Sequence, residues 1–281
     1  MHPKIDGVVV LYHPDNTIFD NIDSYINGLS TLYVIDNSEI KNEKLIEKLK
    51  VKYPTIKYID NGGNQGIAHA LNIGAKLAIE NGADWLLTMD QDSKFENNDL
   101  QKMIQWVEEN KTIDIGIVSP MHEVDEKKKY KFYKTITMTS GNLLNLDVYK
   151  YIGGFRKDFF IDCVDTEFCL RLKKYNLAIK RIEDVVLTHQ LGNKEEINSF
   201  GISFSVTNHN YMRRYYITRN RFRIWNEYEN IDKPYIQFEK IVTIKEIIKI
   251  VLAESDKFLK LKYFIKGYLD YRNSKYGKYH G

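Results

Sequence analysis

The amino-acid sequence predicts an α/β fold built on a mostly parallel central sheet flanked by helices, followed by a helical C-terminal extension. Three observations carry that expectation. Short β-branched runs alternate with amphipathic stretches over the first 120 residues, the arrangement of strands joined by crossover helices. Several of the runs are apolar throughout rather than alternating, as strands covered on both faces must be. From about Thr207 the pattern changes to aromatic and basic residues at helical spacing.

Ile5–Tyr12 (IDGVVVLY) reads as the first buried strand and Ile18–Leu29 as the helix after it. Thr31–Ile35 is the second strand, Glu43–Tyr53 a Lys/Glu-rich helix and Ile56–Ile59 a short third strand. Gln65–Asn81, rich in small and apolar residues, is a helix reached through the turn NGGNQG. Trp85–Met89 is the fourth strand, Asp99–Glu109 a helix and Ile115–Ser119 the fifth strand. Beyond these the signal loosens. Glu123–Lys131 is a charged loop or hairpin tip, Phe132–Met138 a strand, and Gly153–Phe155 a turn. Asp165–Tyr175 is a helix in which Glu167 is placed to pair with Arg171 four residues on. No internal repeat or Gly/Ser linker interrupts the chain. The expected division is a body over residues 1–205 and a basic, aromatic helical extension over 206–281 packed on it.

With 281 residues, 43% hydrophobic and 28% charged, the chain has an ordinary globular composition and ample length for a core. The apolar run near the N-terminus is too short for a signal peptide, and no stretch is long and apolar enough to span a membrane. A soluble or peripheral cytoplasmic protein is therefore expected. Cys163 and Cys169 show neither metal-ligand spacing nor a disulfide framework, which suits a reducing compartment. The net charge of +3 is unevenly spread: residues 201–281 hold 16 Lys and Arg against 8 Asp and Glu, a balance of +8, leaving −5 for the first 200 residues. The basic segment carries no Arg/Gly-rich, zinc or RNP-type signature, so nucleic acid is not an expected partner. Peripheral contact with the inner face of the cell membrane, or a homodimer through the C-terminal helices, are the two uses left open.

In sheets of this kind ligands bind beyond the carboxyl ends of the strands, near a switch in strand order. Strand one runs into Tyr12-His13-Pro14-Asp15, strand two into Asp36-Asn37-Ser38, strand three into Asp60 through Asn64, and strand four into Asp90-Gln91-Asp92-Ser93. A single Asp or Asn at such a place serves equally as a helix cap. Several converging on one edge favour a polar ligand site. Asp90 and Asp92 alone read two ways: as solvated loop carboxylates, or as hard oxygen ligands for a divalent ion completed by phosphate oxygens.

Seven segments in order, VVVLYHP, VIDNS, NGGNQGIAHALNIG, DWLLTMDQDS, TSGNLL, GGFRKDFFIDCVDTEFCLRL and VLTHQLG, resemble the inverting glycosyltransferases of family two, in particular the rhamnosyltransferase-like branch. The resemblance covers about residues 1–225 and implies the GT-A (Rossmann-like) fold and a metal-dependent inverting hexosyl transfer. On that match, Asp36 pairs with the N3–H of a uracil or thymine base, a donor suited to an acceptor-only carboxylate. Asp90 and Asp92 form the DxD motif. Asp92 would bind Mn²⁺ or Mg²⁺ directly with His189 of VLTHQLG, and Asp90 would contact the ribose or the ion's water shell. Tyr12, Asn64, Gln91, Ser140, Gly141 and Asn142 belong to the donor side.

By the same match Asp165 is the general base. The family usually shows Glu-Asp there; Val164 replaces the Glu, as in the Asp-x-Val-Asp arrangement of the rhamnosyltransferase-like branch. Asp165 also sits where a helix N-cap belongs, which would lower its pKa and weaken it as a base. Asp162 is the second candidate. Arg219-Asn220 resembles the Tyr-Tyr-x-x-Arg-Asn run of the branch, and whether Arg219 reaches the diphosphate stays open. The implied reaction moves L-rhamnose from dTDP-L-rhamnose to a hydroxyl of a glycan or lipid-linked saccharide in surface polysaccharide synthesis. The alternatives are a UDP-sugar transferase of the same family and a degenerate module that only binds nucleotide or glycan.

Overall fold

The computed structural model describes the backbone of residues 2–122, 135–189, 195–199, 202–206 and 209–281, and the side chains of these except at 189, 195–199 and 202–206. They fall into two compact units, Met1–Lys157 with Val164–Gln190, and Asp158–Cys163 with Leu191–Gly281.

In the first unit, β1 (Ile5–Leu11), β2 (Thr31–Asp36), β3 (Ile56–Asp60) and β4 (Trp85–Asp90) lie parallel in the order β3-β2-β1-β4. Every residue of β1 and β2 is buried, as strands covered on both faces must be, including Asp6 and Asp36 among their largely apolar residues. The sheet continues through β7 (Asn142–Asn145), which is antiparallel to β4 and to β6 (Ile115–His122). Beyond β6 come β8 (Ala178–His189), parallel to it, and β5 (Ser93–Phe95), antiparallel to β8. The eight strands are flanked by α1 (Ile18–Asp23), α2 (Glu43–Lys52), α3 (Ile67–Glu80), α4 (Asp99–Glu109), α5 (Leu146–Ile152) and α6 (Val164–Lys174).

Local chemistry places these elements. The Asn42 side chain caps α2 by accepting the Leu45 N–H at 3.3 Å. Gly74 lets α3 lie directly on β1, since a Cβ there would come within 2.4 Å of Val8 Cγ2. One core, including Val9, Leu11, Val34, Leu87, Met103, Leu143 and Leu187, runs through the sheet from β2 to β8.

The helix expected over Ile18–Leu29 ends at Asp23 and is followed by a 3₁₀ turn at Ile26–Gly28. Ser24 explains the break: its hydroxyl donates to Asn21 O at 2.6 Å and accepts the Phe95 N–H at 3.1 Å, while Tyr25 turns into the core. Of the strand expected over Phe132–Met138, residues 132–134 lie outside the described residues, as does the loop 123–131, and 135–138 form no strand. There the buried Thr137 hydroxyl bonds Ser119 Oγ at 2.5 Å. β5, β7 and α5 were not evident in the sequence, being short and set among polar residues.

In the second unit, β9 (Glu195–Ser199) and β10 (Ile202–Val206) form an antiparallel hairpin, and α7 (Tyr211–Tyr228), α8 (Lys233–Ala253) and α9 (Lys257–Arg272) follow. Gly267 lets α9 approach α7 backbone to backbone: a Cβ there would lie 2.5 Å from the Tyr215 carbonyl oxygen. Phe222 packs on Trp225, Tyr268 and Tyr271, so these aromatics serve as core.

Candidate active site

The register of the parallel strands brings their carboxyl ends to one edge. Leu11 lies beside Asp36, Asp36 beside Asp60, and Val10 beside Asp90. The strand order reverses at β1, with β2 and β3 on one side and β4 on the other, and the crevice at such a switch is where open α/β sheets bind ligands.

Tyr12 and Gln91 close the gap between β1 and β4. The Tyr12 N–H donates to Gln91 Oε1 at 2.8 Å, and Gln91 Nε2 donates to Tyr12 O at 3.1 Å. The Gln91 amide is thus engaged with main chain, while the Tyr12 ring is 45% exposed at the mouth of the crevice. On the other side of β4, the Asp90 N–H donates to Ser140 Oγ at 3.0 Å and the Gly141 N–H to Thr88 O at 2.7 Å. Gly141 has φ +82°, and a Cβ there would lie 2.9 Å from both Leu187 Cδ2 and Pro120 Cγ, so glycine is required for this approach. Asp90 and Asp92 bracket the turn from β4 into β5 and are half-buried.

Asp36 is fully buried. Its Oδ1 accepts the Ser38 N–H at 2.9 Å and its Oδ2 the Tyr58 hydroxyl at 2.9 Å. Burial first, and then the Asp36 carboxylate, raise the pKa of that phenol. Lys41 spans the tips of β2 and β3, donating to Ser38 O at 2.7 Å and pairing with Asp60 at 2.7 Å, with Asp36 Oδ1 3.8 Å away. Asn64 Oδ1 accepts the Gly66 N–H at 3.0 Å and orders the turn into α3. Asn37 ties the end of β1 to this turn, its N–H on Leu11 O at 2.8 Å and its amide on Gly66 O at 3.3 Å.

Asp165 lies in the first turn of α6, which begins at Val164, and its Oδ1 accepts the Thr166 N–H at 2.7 Å. The capping position expected for Asp165 therefore falls before Val164, outside the helix. Asp165 lines a small cavity of about 10 Å³, room for a single water, with Thr88, Thr137, Thr139, Asn142 and Cys169 on its polar side and Ile117, Leu144, Phe155 and Phe168 on its apolar side. Asn142 is 4% exposed; its amide donates to Met138 O at 2.6 Å, and its Oδ1 is buried without a partner. Thr137 and Thr139 were not among the residues expected at the site, although the run TITMTSGN sets them at alternate positions; Thr88 comes from β4.

Arg171 anchors α6. It donates to the carbonyls of Ile152, Gly153 and Gly154 at 2.8–3.0 Å and to Glu167 Oε2 at 2.9 Å, which bears out the Glu167 pairing. Asn72 of α3 holds the same turn from the other side, accepting the Phe155 N–H at 2.9 Å and donating to Phe155 O at 2.7 Å.

His189 ends β8, and the β5–β8 register sets its backbone opposite Ser93, the residue after Asp92. Its side chain lies outside the described ones. Among the described residues no three His, Cys, Asp or Glu side chains converge as a metal centre. The two carboxylates nonetheless suit Mg²⁺ or Mn²⁺, which take one or two carboxylates and complete their shell with phosphate oxygens and water.

Asp162 belongs to the second unit. Arg213 Nε donates to its Oδ1 at 3.1 Å, and Oδ2 is buried without a partner. Burial pushes its pKa up, against the opposing pull of Arg213. Phe160, Asp162 and Cys163 all have φ between +61° and +64°, a conformation costing non-glycine residues on the order of 1–3 kcal/mol each. The segment is held by Asn220, whose amide reaches the carbonyls of Phe159, Ile161 and Asp162 at 2.8–3.0 Å. Arg219 is 1% exposed and donates to Gly277 O at 2.7 Å and Phe159 O at 3.1 Å, so it is a structural residue within this unit.

A raised folded-state pKa means that Asp162 stabilises the fold below the ordinary carboxylate range, and that this contribution is lost as the pH rises through the folded value. Asp162→Asn is expected to raise Tm by a few degrees at neutral pH, with the gain vanishing near pH 4. Thermal unfolding across pH checks this; a loss of Tm at pH 7 contradicts it.

Residues 9–175 match the sequence signature of the family described as Glycosyl transferase family 2. The dTDP-rhamnosyl transferase RfbF of Shigella flexneri is 29% identical over 245 residues, spanning 79% of this chain and 80% of that protein. Among solved structures, the mannosyltransferase PcManGT from Pyrobaculum calidifontis in complex with GDP-Man and Mn²⁺ superposes with a TM-score of 0.64 at 14% identity, over 98% of this chain and 84% of that one. GalNAc-T7 with UDP, GalNAc and Mn²⁺ superposes with a TM-score of 0.59 at 15% identity, over 98% of this chain and 58% of that one.

Proposed function

The chain belongs to glycosyl transferase family 2, with the GT-A fold expected for it, and from that premise we propose that this glycosyltransferase moves L-rhamnose from dTDP-L-rhamnose to a hydroxyl of a glycan or lipid-linked saccharide, with inversion at the sugar carbon. The observation that carries the reading is the placement of Asp90 and Asp92 at the strand-order switch, with Asp165 on a cavity shared with Thr88 of the same strand. The name of the RfbF relative supports the choice of donor. We assign the donor site to the body, residues 1–205, and place the protein in the cytoplasm. Among the described residues no helix is long and apolar enough to cross a membrane.

In this reading Asp36 recognises the N3–H of the base. The Tyr12 ring packs on the nucleoside, and Asn64 and the following glycines shape the turn beneath it. Gln91 and Ser140 hold the main chain of Tyr12 and Asp90, and Gly141 and Asn142 form the wall beside the sugar. Asp165, or failing it Asp162, takes the proton of the acceptor hydroxyl as that oxygen attacks C1. The C1–O bond to the diphosphate breaks on the opposite face, and its electron pair leaves with the nucleoside diphosphate. Asp92 and His189 would hold Mn²⁺ or Mg²⁺, with Asp90 at the ribose or the ion's water shell; the ion when bound offsets charge on the leaving diphosphate.

Because Asp36 would read uracil and thymine through the same N3–H, a UDP-sugar remains the alternative donor. A thermal-shift and turnover panel of dTDP- and UDP-sugars with Mn²⁺ tests both. The expected result is a larger shift with dTDP than with UDP, and donor turnover that disappears with chelator and in Asp92→Ala. Nucleotide binding without any turnover, on all donors and metals, would instead identify a binding module.

A further inference from the structure

Helices α8 and α9 are apolar on two sides. Their inner sides pack within the helical unit, yet Ile241, Ile244, Ile248 and Val251 of α8 are all exposed. Their spacing puts them on one stripe. On α9, Phe258 (89% exposed), Ile265 and Leu269 are exposed at the same kind of spacing, with Lys262 and Arg272 interleaved on that face. Exposed apolar side chains scattered singly need no explanation, but a stripe sustained over several turns of a helix marks a contact surface.

The distribution of charge says what that surface meets. The carboxylates of these helices turn inward. Glu239 and Glu246 pair with Arg221 at 3.3 and 2.7 Å, Glu254 with Arg214 and Lys260 at 3.0 and 2.9 Å, and Asp270 with Lys266 at 2.7 Å and the Tyr215 hydroxyl at 2.9 Å. From residue 231 onward, Asp256 in the connection is the one exposed Asp or Glu among the described residues. Lys245, Lys257, Lys262 and Arg272 are all exposed. The acids are thus spent on internal cations, and the outer face keeps apolar and basic side chains.

We propose that this outer face of α8 and α9 docks on an anionic lipid surface. Apolar side chains enter the boundary between headgroups and acyl chains, and the lysine stems lie along it with their ammonium groups at the phosphates. A second copy fits poorly, because a two-fold contact through this face would set Lys245, Lys257, Lys262 and Arg272 against their own copies, with Asp256 the one exposed Asp or Glu to offset them among the described residues from 231 onward. The inference goes beyond the transferase reading and does not depend on the donor.

The test mixes the full chain with vesicles of phosphatidylglycerol in phosphatidylcholine and, in parallel, with vesicles of phosphatidylcholine alone, with light scattering of the free protein. The expected result is a monomer that floats with the anionic vesicles only, less so as salt is raised. Lys245→Gln with Lys262→Gln should weaken partitioning roughly 25-fold, the product of about fivefold per lysine. Ile248→Ser with Phe258→Ser should weaken it about tenfold or more. Equal binding to both vesicle types or to neither overturns the proposal, as does a dimer that Ile248→Ser with Phe258→Ser dissociates. Donor-nucleotide turnover is followed in the same variants. Failed docking with intact turnover leaves the transferase reading standing, and docking without turnover leaves the lipid surface standing.

Discussion

Asp165→Asn is expected to lower sugar transfer by roughly 10²–10⁴-fold, the usual contribution of a positioned general base, with donor affinity nearly unchanged. The substitution is close to isosteric. An asparagine carbonyl accepts the Thr166 N–H in place of Oδ1, at present 2.7 Å away, and the cavity wall keeps its shape. What disappears is the oxygen able to take up a proton. Transfer rates measured with saturating donor, together with a nucleotide titration, check the result. If Asp165→Asn turns over at a near-normal rate while Asp162→Asn does not, the base is Asp162. If both are active, neither carboxylate has that role.

Arg219→Ala should be among the most destabilising single changes in the helical unit. The guanidinium is buried, lies over the rings of Tyr215 and Tyr216, and bonds Gly277 O at 2.7 Å, Phe159 O at 3.1 Å and Asn220 Oδ1 at 3.1 Å. Phe159 O keeps a second donor in Asn220. The loss therefore falls on Gly277 O, on the buried Asn220 Oδ1 and in the cavity left between the rings. A buried long side chain with several hydrogen bonds is worth about 2–4 kcal/mol here, which at about 2–4 °C per kcal/mol lowers Tm by roughly 5–15 °C. Arg219→Lys should recover only part of it, since one ammonium cannot reach the spread of acceptors that a planar fork serves. A shift of Tm below about 3 °C in Arg219→Ala is incompatible with this account.

Much of the first half was legible because its information is local. The run VVVL is apolar at every position and TLYVI is β-branched, aromatic or aliphatic throughout, without the polar alternation of a half-exposed strand, and β1 and β2 are indeed buried throughout. Ile18–Leu29 misled because its periodicity continues past Asp23, whereas Ser24 makes bonds to Asn21 and Phe95 that no periodicity encodes. β5 and β7 escaped for a related reason. Three or four residues hold too little pattern, and each strand exists through its partners, Leu187–His189 and Trp85–Thr88.

The candidate site divides along the same line. By itself the sequence determined the α/β class, the strand ends that carry Asp36, Asp60 and Asp90, the family, and the residue types fit for a nucleotide, a divalent ion and a proton. Those are properties of short segments and of side-chain chemistry. Only the tertiary structure decided that Arg219 is buried against main-chain carbonyls, that the Gln91 amide is engaged with Tyr12, that Asp36 is enclosed by Ser38 and Tyr58, and that Asp165 shares a cavity with Thr88 and Asn142. Burial and hydrogen-bond partnership depend on which distant segments pack together, and a linear pattern does not specify where a long side chain ends.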